Sequence, residues 1–258
     1  MVSYERDGPV AVVSIDRPDA KHAIDGETAR ELRAAWERFD DDEDAAVGVL
    51  TGDEETFSAG ADLEKMDLED GPEGWLGFTR TTVDKPTIAA VEGHCIAGGL
   101  EMALWCDLRV AGESATFGCF ERRFGVPLVD GGTQRLPRVV GQGRALEMIL
   151  TGRPVEAEEG REWGLVNRVV DDGDALDAAR EMAETIAEFP QQTVRTDRAA
   201  VYDGAGLPLD EGLKVEAWHG NRSLSTAHEG AERFASGEGR HGEGIEDADG
   251  EDPPGSTE

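Results

Sequence analysis

Two glycine-bearing turns carry the first chemical signal in the chain. They are Ser58-Ala59-Gly60-Ala61-Asp62 and Gly93-His94-Cys95-Ile96-Ala97-Gly98-Gly99-Leu100-Glu101. Each follows an extended run and reads as opening a helix. A helix start presents unpaired backbone N–H groups and the positive end of the macrodipole. Small residues let a ligand approach that backbone closely. One such turn is ordinarily a plain chain reversal. Two in one small domain point to a pair of N–H donors converging on one oxygen, as an oxyanion hole requires. Other uses of such turns fail here. The sequence has no G-x-x-x-x-G-K-[ST], no G-x-G-x-x-G after a strand, and no G-x-S-x-G.

Acidic residues lie close by. Glu101 falls inside the helix that Gly98-Gly99 opens, among Leu100, Met102, Ala103, Leu104 and Trp105. Pointing inward, it would be desolvated and its pKa raised; a glutamate more commonly faces water. Glu121 follows another extended apolar run, and its position alone does not separate it from the other acids. Asp130 ends the turn Gly125-Val126-Pro127-Leu128-Val129-Asp130, where an N-cap before Gly131 is common chemistry.

The apolar pattern predicts the scaffold beneath these residues. Residues 2–6 and 10–15 read as a hairpin around Asp7-Gly8. A helix is expected over 26–40, with Leu32, Trp36 and Phe39 on one face. Strands follow at 47–51, 87–91, 108–111, 115–117 and 166–170. Residues 64–83 read as a variable helical segment bordering the pocket, with Trp75 and Phe78 lining it or packing in the core. A loop is expected over 93–99 and a buried helix over 100–105. Beyond Gly131 the chain reads as mostly helical, with Leu146, Ile149 and Leu150 on one apolar face and Leu176, Met182 and Ile186 on another. Short strands with interposed helices predict a layered α/β or α+β core. Residues 237–258 hold Ile245 as their only large aliphatic and read as a disordered acidic tail.

Composition narrows the partners. The chain of 258 residues has 25 basic and 56 acidic side chains, a net charge of −31 and a pI near 4.4. Such a charge disfavours nucleic acid and anionic membrane surfaces. No apolar stretch is long enough to span a bilayer. The opening residues show no basic region followed by an apolar core, so no signal peptide is expected. Leu, Ile, Val and Phe make up about a fifth of the chain, near the level at which charged chains stay unfolded. The regular apolar pattern argues against disorder. Among the basic residues only Lys21, Lys65, Lys85 and Lys214 are lysines. This balance reads as adaptation to a salty cytoplasm, where carboxylate repulsion is screened. Cys95, Cys106 and Cys119 form no CxxC pair, and the five histidines form no HxH or HxxxH. The reading is no metal site, no disulfide framework and a reduced cytoplasmic setting.

Taken in order, the motifs resemble the crotonase (enoyl-CoA hydratase/isomerase) superfamily. The resemblance rests on Phe57-Ser58-Ala59-Gly60-Ala61-Asp62-Leu63 and on the run from Val91 to Glu101. It rests also on Cys106-Asp107-Leu108-Arg109-Val110-Ala111, Gly131-Gly132-Thr133-Gln134-Arg135-Leu136-Pro137, Thr151-Gly152-Arg153-Pro154 and Gly164-Leu165-Val166-Asn167-Arg168-Val169-Val170. The resemblance implies a spiral of repeated ββα units over 1–190, a helical C-terminal region over 191–236 that drives trimer or dimer-of-trimers assembly, and the tail at 237–258. It implies an acyl-coenzyme A thioester as ligand, with coenzyme A part of the substrate and no further cofactor. By analogy, the N–H groups of Ala61 and Gly98 bind the thioester oxygen. Residues around His22, Ala23, Ala59, Asp62 and Leu63 line the coenzyme A path. Glu101 falls on the position of the water-activating base and Glu121 on that of the proton donor, and either can share the water.

Some positions depart from the hydratase pattern. His22 stands where the family usually has Asn, which alters coenzyme A contacts or is a tolerated loop change. Arg122-Arg123 follow Glu121; a guanidinium beside a carboxylate lowers its pKa and would weaken it as an acid, unless both arginines face solvent. Asp130 takes a place where many hydratases have a small residue and some dienoyl-CoA isomerases have Asp. The expected activity is hydration of a trans-2-enoyl-CoA to a 3-hydroxyacyl-CoA. One rival is double-bond isomerisation of an enoyl- or dienoyl-CoA by Glu121 and Asp130. Another is a non-catalytic acyl-CoA-binding protein on the same fold. The charge balance makes its own prediction. The unfolding midpoint should fall steeply as salt is lowered; a midpoint independent of salt would refute the high-salt reading.

Overall fold

The structure, a computed structural model, describes residues 1–236. The segment read as an acidic tail, 237–258, lies outside the described residues. The chain divides into one compact unit over Met1–Phe189 and a second from Pro190 onward.

In the first unit, β1 (Val2–Asp7) and β2 (Val10–Ile15) form an antiparallel hairpin. Strands β3 (Val47–Thr51), β5 (Thr87–Val91), β7 (Leu108–Gly112) and β10 (Arg168–Val170) continue it as a parallel array, in the order β1-β2-β3-β5-β7-β10. A second sheet holds β4 (Thr56–Ser58), β6 (His94–Ile96), β8 (Thr116–Gly118) and β9 (Val155–Glu156). The chain therefore alternates between sheets. β3, β5 and β7 each enter the large sheet, and β4, β6 and β8 each follow in the small one. This mixed α/β architecture matches the fold class expected above.

Alternation along the strands decides the layering. Ala11, Val13 and Ile15 of β2 face one core, while Val10 and Val12 face another. On β5 the split is Ala89 and Val91 against Ile88 and Ala90. Both faces of the large sheet are thus covered, which explains its near-continuous apolar strands. The second core is closed by α6 (Ala175–Ala187), whose buried face is Ala175, Ala178, Ala179 and Ala183. Leu176, Met182 and Ile186 pack against it from partly buried positions.

α1 (Gly26–Asp41) begins at Asp25, whose Oδ1 accepts from Thr28 N at 2.8 Å. This is the side-chain cap that a helix start lacks internally. Its apolar face carries Trp36 and Phe39 into an aromatic cluster with Phe78 and Trp105. Trp36 lies 4.8 Å from Trp105, 5.6 Å from Phe39 and 5.7 Å from Phe78 between ring centroids. α2 (Gly98–Trp105) is buried along its whole length. It is followed in this unit by α3 (Gly132–Val140), α4 (Gln142–Thr151) and α5 (Ala157–Trp163). The second unit consists of α7 (Gln191–Gly204), α8 (Leu209–Asn221) and α9 (Leu224–Ser236). Within it, His219 Nε2 lies 2.8 Å from Asp203 Oδ2.

Four expectations need correction. Residues 64–83 are not helical but a run of turns and bends. Gly74 and Gly77 both have φ of 88°, where a helix cannot continue. The Trp75–Phe78 spacing mimics a helical face without being one. Residues 93–99 are not all loop, because His94–Ile96 pairs in parallel with β4 and β8; that non-local pairing leaves no local pattern. The strand expected over 166–170 is confined to Arg168–Val170. On α4 the buried residues are Ala145 and Met148, while Leu150 is 70 % exposed and Leu146 42 %. No helix among the described residues is long and apolar enough to cross a membrane.

The aromatic cluster joins α1, α2 and the irregular segment around Phe78. Trp36→Ala should therefore cost about 3–5 kcal/mol, as deletion of a buried aromatic typically does. Urea unfolding measures it as a lower midpoint; a shift worth under about 1 kcal/mol would show that the cluster does not bind these elements together.

Candidate active site

The two glycine turns meet. Ser58 Oγ donates to His22 O at 2.8 Å and accepts from Gly60 N at 3.1 Å, which shapes the first turn. Gly60 has φ of 86°, and a Cβ there would stand 2.5 Å from Gly98 N. Only glycine permits both that conformation and that approach. At the second turn Ala97 has φ of 53°, and its N–H donates to Gly118 O at 2.8 Å. A Cβ on Gly98 would stand 3.4 Å from Ala61 N, so the two backbones are in contact distance. The N–H groups of Ala61 and Gly98 have no acceptor among the described residues. Two preorganised donors are left side by side.

Both residues line a cavity of about 250 Å³. Its walls are mostly apolar, with Leu63, Trp75, Leu76, Phe120, Val126 and Val129 among them. Phe78 is not in the wall; it packs in the aromatic core. Three acidic residues line the same cavity, Glu101, Glu121 and Asp130.

Glu101 is the sole charged residue of α2 and is 3 % exposed. Its Oε1 accepts from Asp130 N and from Gly132 N, each at 2.8 Å. Its Oε2 has no hydrogen-bond partner among the described residues. A Cβ on Gly132 would lie 3.0 Å from Glu101 Cγ and from Oε1, so the bare backbone is what lets the carboxylate seat there. Burial pushes the Glu101 pKa up to about 7, aided by the charges of Asp130 and Glu121 and opposed by the two N–H donors.

Glu121 lies in a single 3-10 turn, Phe120–Phe124, after β8. It is 5 % exposed, and neither carboxylate oxygen has a hydrogen-bond partner. Burial raises its pKa, opposed only in part by the dipole of its own backbone N–H and by the Arg122 charge. The Arg122 charge acts in the lowering direction expected of a neighbouring guanidinium but is outweighed by burial, and both arginines are exposed. Arg122 Nε is turned to Ile149 O at 3.2 Å, and the Arg123 guanidinium lies over the Phe120 ring.

Asp130 is 2 % exposed, and burial raises its pKa. It is not the N-cap of α3. That position is Gly131, at φ of 106°, with no side-chain cap. The Asp130 carboxylate instead accepts from Leu76 N at 3.3 Å and from Thr79 Oγ1.

Of the other expected residues, Ala59 and Leu63 line the cavity, while His22, Ala23 and Asp62 do not. His22 is 1 % exposed. Its Nδ1 accepts from Arg17 N at 3.0 Å and its Nε2 lies 2.8 Å from Asp53 Oδ2. Asp62 accepts from Glu64 N at 3.1 Å and pairs with Arg17 Nη2 at 3.1 Å. Arg17 also donates to Ala23 O and pairs with Asp25 at 2.9 Å. Arg17 therefore ties together the turn below the cavity, a role hidden in sequence behind its place before Pro18. Leu76 and Thr79 likewise carry no signal in the sequence, and Gly132 is marked only by its place in the motif at 131–137.

The sequence model of the enoyl-CoA hydratase/isomerase family matches residues 5–240. A Mycobacterium bovis protein named "Probable enoyl-CoA hydratase echA8" is 38% identical over 221 residues, covering 83% of this chain and 86% of that protein. Carnitinyl-CoA dehydratase of Salmonella paratyphi A is 37% identical over 217 residues, covering 81% of this chain and 83% of that protein. The crystal structure of enoyl-CoA hydratase EchA1 from Mycobacterium marinum superposes with a TM-score of 0.88 at 34% identity, covering 92% of this chain and 96% of that one. With the fold, the paired turns and matches along most of its length in agreement, the chain belongs to the enoyl-CoA hydratase/isomerase family.

Proposed function

We propose that this protein is an enoyl-CoA hydratase, adding water across the 2,3 double bond of a trans-2-enoyl-CoA to give a 3-hydroxyacyl-CoA. The observation that carries the reading is the pairing of two buried carboxylates with free oxygens, Glu101 and Glu121, in one cavity with two unpaired N–H donors. The thioester oxygen accepts from Ala61 N and Gly98 N, which draws electron density from Cβ. Glu101 takes a proton from water as the water oxygen bonds to Cβ. Glu121 gives a proton to Cα, and the charge gathered on the thioester oxygen returns. A proton passing from Glu101 to Glu121 through solvent restores the pair. The addition changes no net oxidation state, so it calls for no redox cofactor, and coenzyme A enters as part of the substrate.

The turn around His22, Ala23, Ala59, Asp62 and Leu63 forms the coenzyme A path in this reading. Ala59 and Leu63 reach the cavity, and Arg17 holds His22, Ala23 and Asp62 behind them. Self-association as a trimer or a dimer of trimers is supported by exposed apolar side chains on the second unit, among them Leu209, Leu213, Trp218 and Phe234. The net charge of −31 supports a salty cytoplasm and no nucleic-acid or membrane partner.

Glu101→Gln and Glu121→Gln should each lower kcat by about 10²-fold or more, as removal of a general acid or base does. Product analysis with a panel of trans-2-enoyl-CoAs checks the reaction itself. A product with only a shifted double bond would move the assignment to isomerase, and tight acyl-CoA binding with no product would favour a binding protein. The rate of hydration, read as kcat/KM against pH, should fall as pH drops below about 7, where Glu101 takes up a proton. A profile flat through neutrality would remove Glu101 as the base.

A further inference from the structure

The cavity wall bearing Trp75 and Leu76 has no backbone ladder to keep its shape. Its cross-links converge on one short segment instead. Asp130 Oδ1 accepts from Leu76 N at 3.3 Å and from Thr79 Oγ1. Arg135, on α3, donates to Asp130 O at 2.9 Å and to Thr79 O at 2.6 Å. Arg80 donates to Val129 O through Nε and Nη2, at 3.1 and 2.9 Å. Gly74 leaves the room this requires, since a Cβ there would collide with Asp130 Oδ1 and Thr79 Oγ1. On its other side the wall reaches the oxyanion turn. A Cβ on Gly98 would lie 3.0 Å from Leu76 Cδ1. Meanwhile the backbone N–H of Asp130 holds Glu101 Oε1 at 2.8 Å.

We propose that Asp130 is a positioning residue whose carboxylate fixes the acyl-facing wall, Trp75–Thr79, in register with the Glu101 carboxylate held by its own backbone N–H. The proposal rests on the hydratase reading of the site. The bonding of Asp130 supports it: its Oδ1 is engaged twice by the wall, through Leu76 N and Thr79 Oγ1, whereas neither oxygen of Glu121 has a partner. One residue then sets both what the wall admits and where the base stands. Acyl selection and turnover become coupled through it.

Steady-state hydration of a short and a medium-chain trans-2-enoyl-CoA by Asp130→Asn, Asp130→Ala and Thr79→Val tests this. Asp130→Asn keeps the Oδ1 acceptor and should stay within about tenfold of the parent kcat, while Asp130→Ala should lose about 10²-fold in kcat/KM through misplacement of the base. Asp130→Ala and Thr79→Val should shift the ratio of kcat/KM between the two chain lengths in the same direction, and Asp130→Asn should not. Asp130→Asn as inactive as Asp130→Ala would make Asp130 a proton carrier and overturn the proposal. An unchanged chain-length ratio in both Asp130→Ala and Thr79→Val would also overturn it. Calorimetric binding of the two matching saturated acyl-CoAs reads the wall without chemistry. Length discrimination should change in Asp130→Ala and Thr79→Val and persist in Asp130→Asn; equal discrimination in all three variants and the parent would sink the wall role. A parent that binds both acyl-CoAs but yields no hydrated product sinks the hydratase reading alone.

Discussion

A charged side chain placed in an otherwise apolar, fully buried helix needs partners that cost no further burial of charge. Glu101 finds them in two backbone N–H groups, from Asp130 and Gly132. Much of the surrounding structure follows from that pair of bonds. The chain must turn sharply at 129–132 for both N–H groups to point the same way. The helix that begins there must start on glycines, because a Cβ at 132 would press on the carboxylate itself. Only one oxygen is held, so the other is free to meet water. An arrangement that satisfied both oxygens would have been more stable and chemically idle.

The donors on the opposite side are set by sterics more than by bonding. Gly60 and Gly98 bring two chain turns together more closely than any side chain would permit. Among the described residues, the N–H groups of Ala61 and Gly98 are left there without acceptors. Carboxylates and donors thus come from turns that are distant in sequence. The two sheets carry them to the same place, because each long strand of the large sheet is followed by a short strand of the small one.

How far the sequence could be read depends on whether the forces are local. β2 and β5 are legible because each buries both faces, and α1 because Leu32, Trp36 and Phe39 recur at helical spacing after a capping Asp25. The wall over 64–83 is misread because Trp75 and Phe78 keep helical spacing, while the conformation is decided by Gly74 and Gly77 at positive φ. β6 is invisible because its partners come from distant strands. Within the site, the burial of Glu101 is foreshadowed by its apolar neighbours. Glu121 is marked only by family resemblance, since nothing adjacent reveals that both its oxygens are buried. Asp130 stands where an N-cap is expected, and its true partners lie more than fifty residues earlier. The fold is therefore legible in its regular layers, and the site in its turns, but the bonds between turns are not.

The burial of Glu101 also has a thermodynamic side. Its folded-state pKa, about 7, lies above the ordinary value of 4.5, so the native chain holds this proton more tightly than the unfolded chain does. Between those values the native state binds more protons, and the contribution of this group to stability falls as pH rises through the window. Asp25 at the start of α1 works in the opposite sense. Burial disfavours its charge, but hydrogen bonds from Lys65 and Thr28 outweigh that and hold its pKa below the usual carboxylate range, so its contribution is lost as the solution becomes acidic. The native state is thereby pulled toward the acid side by its cavity and away from it by its frame. Its proton affinity is divided between a part of the molecule that reacts and a part that holds.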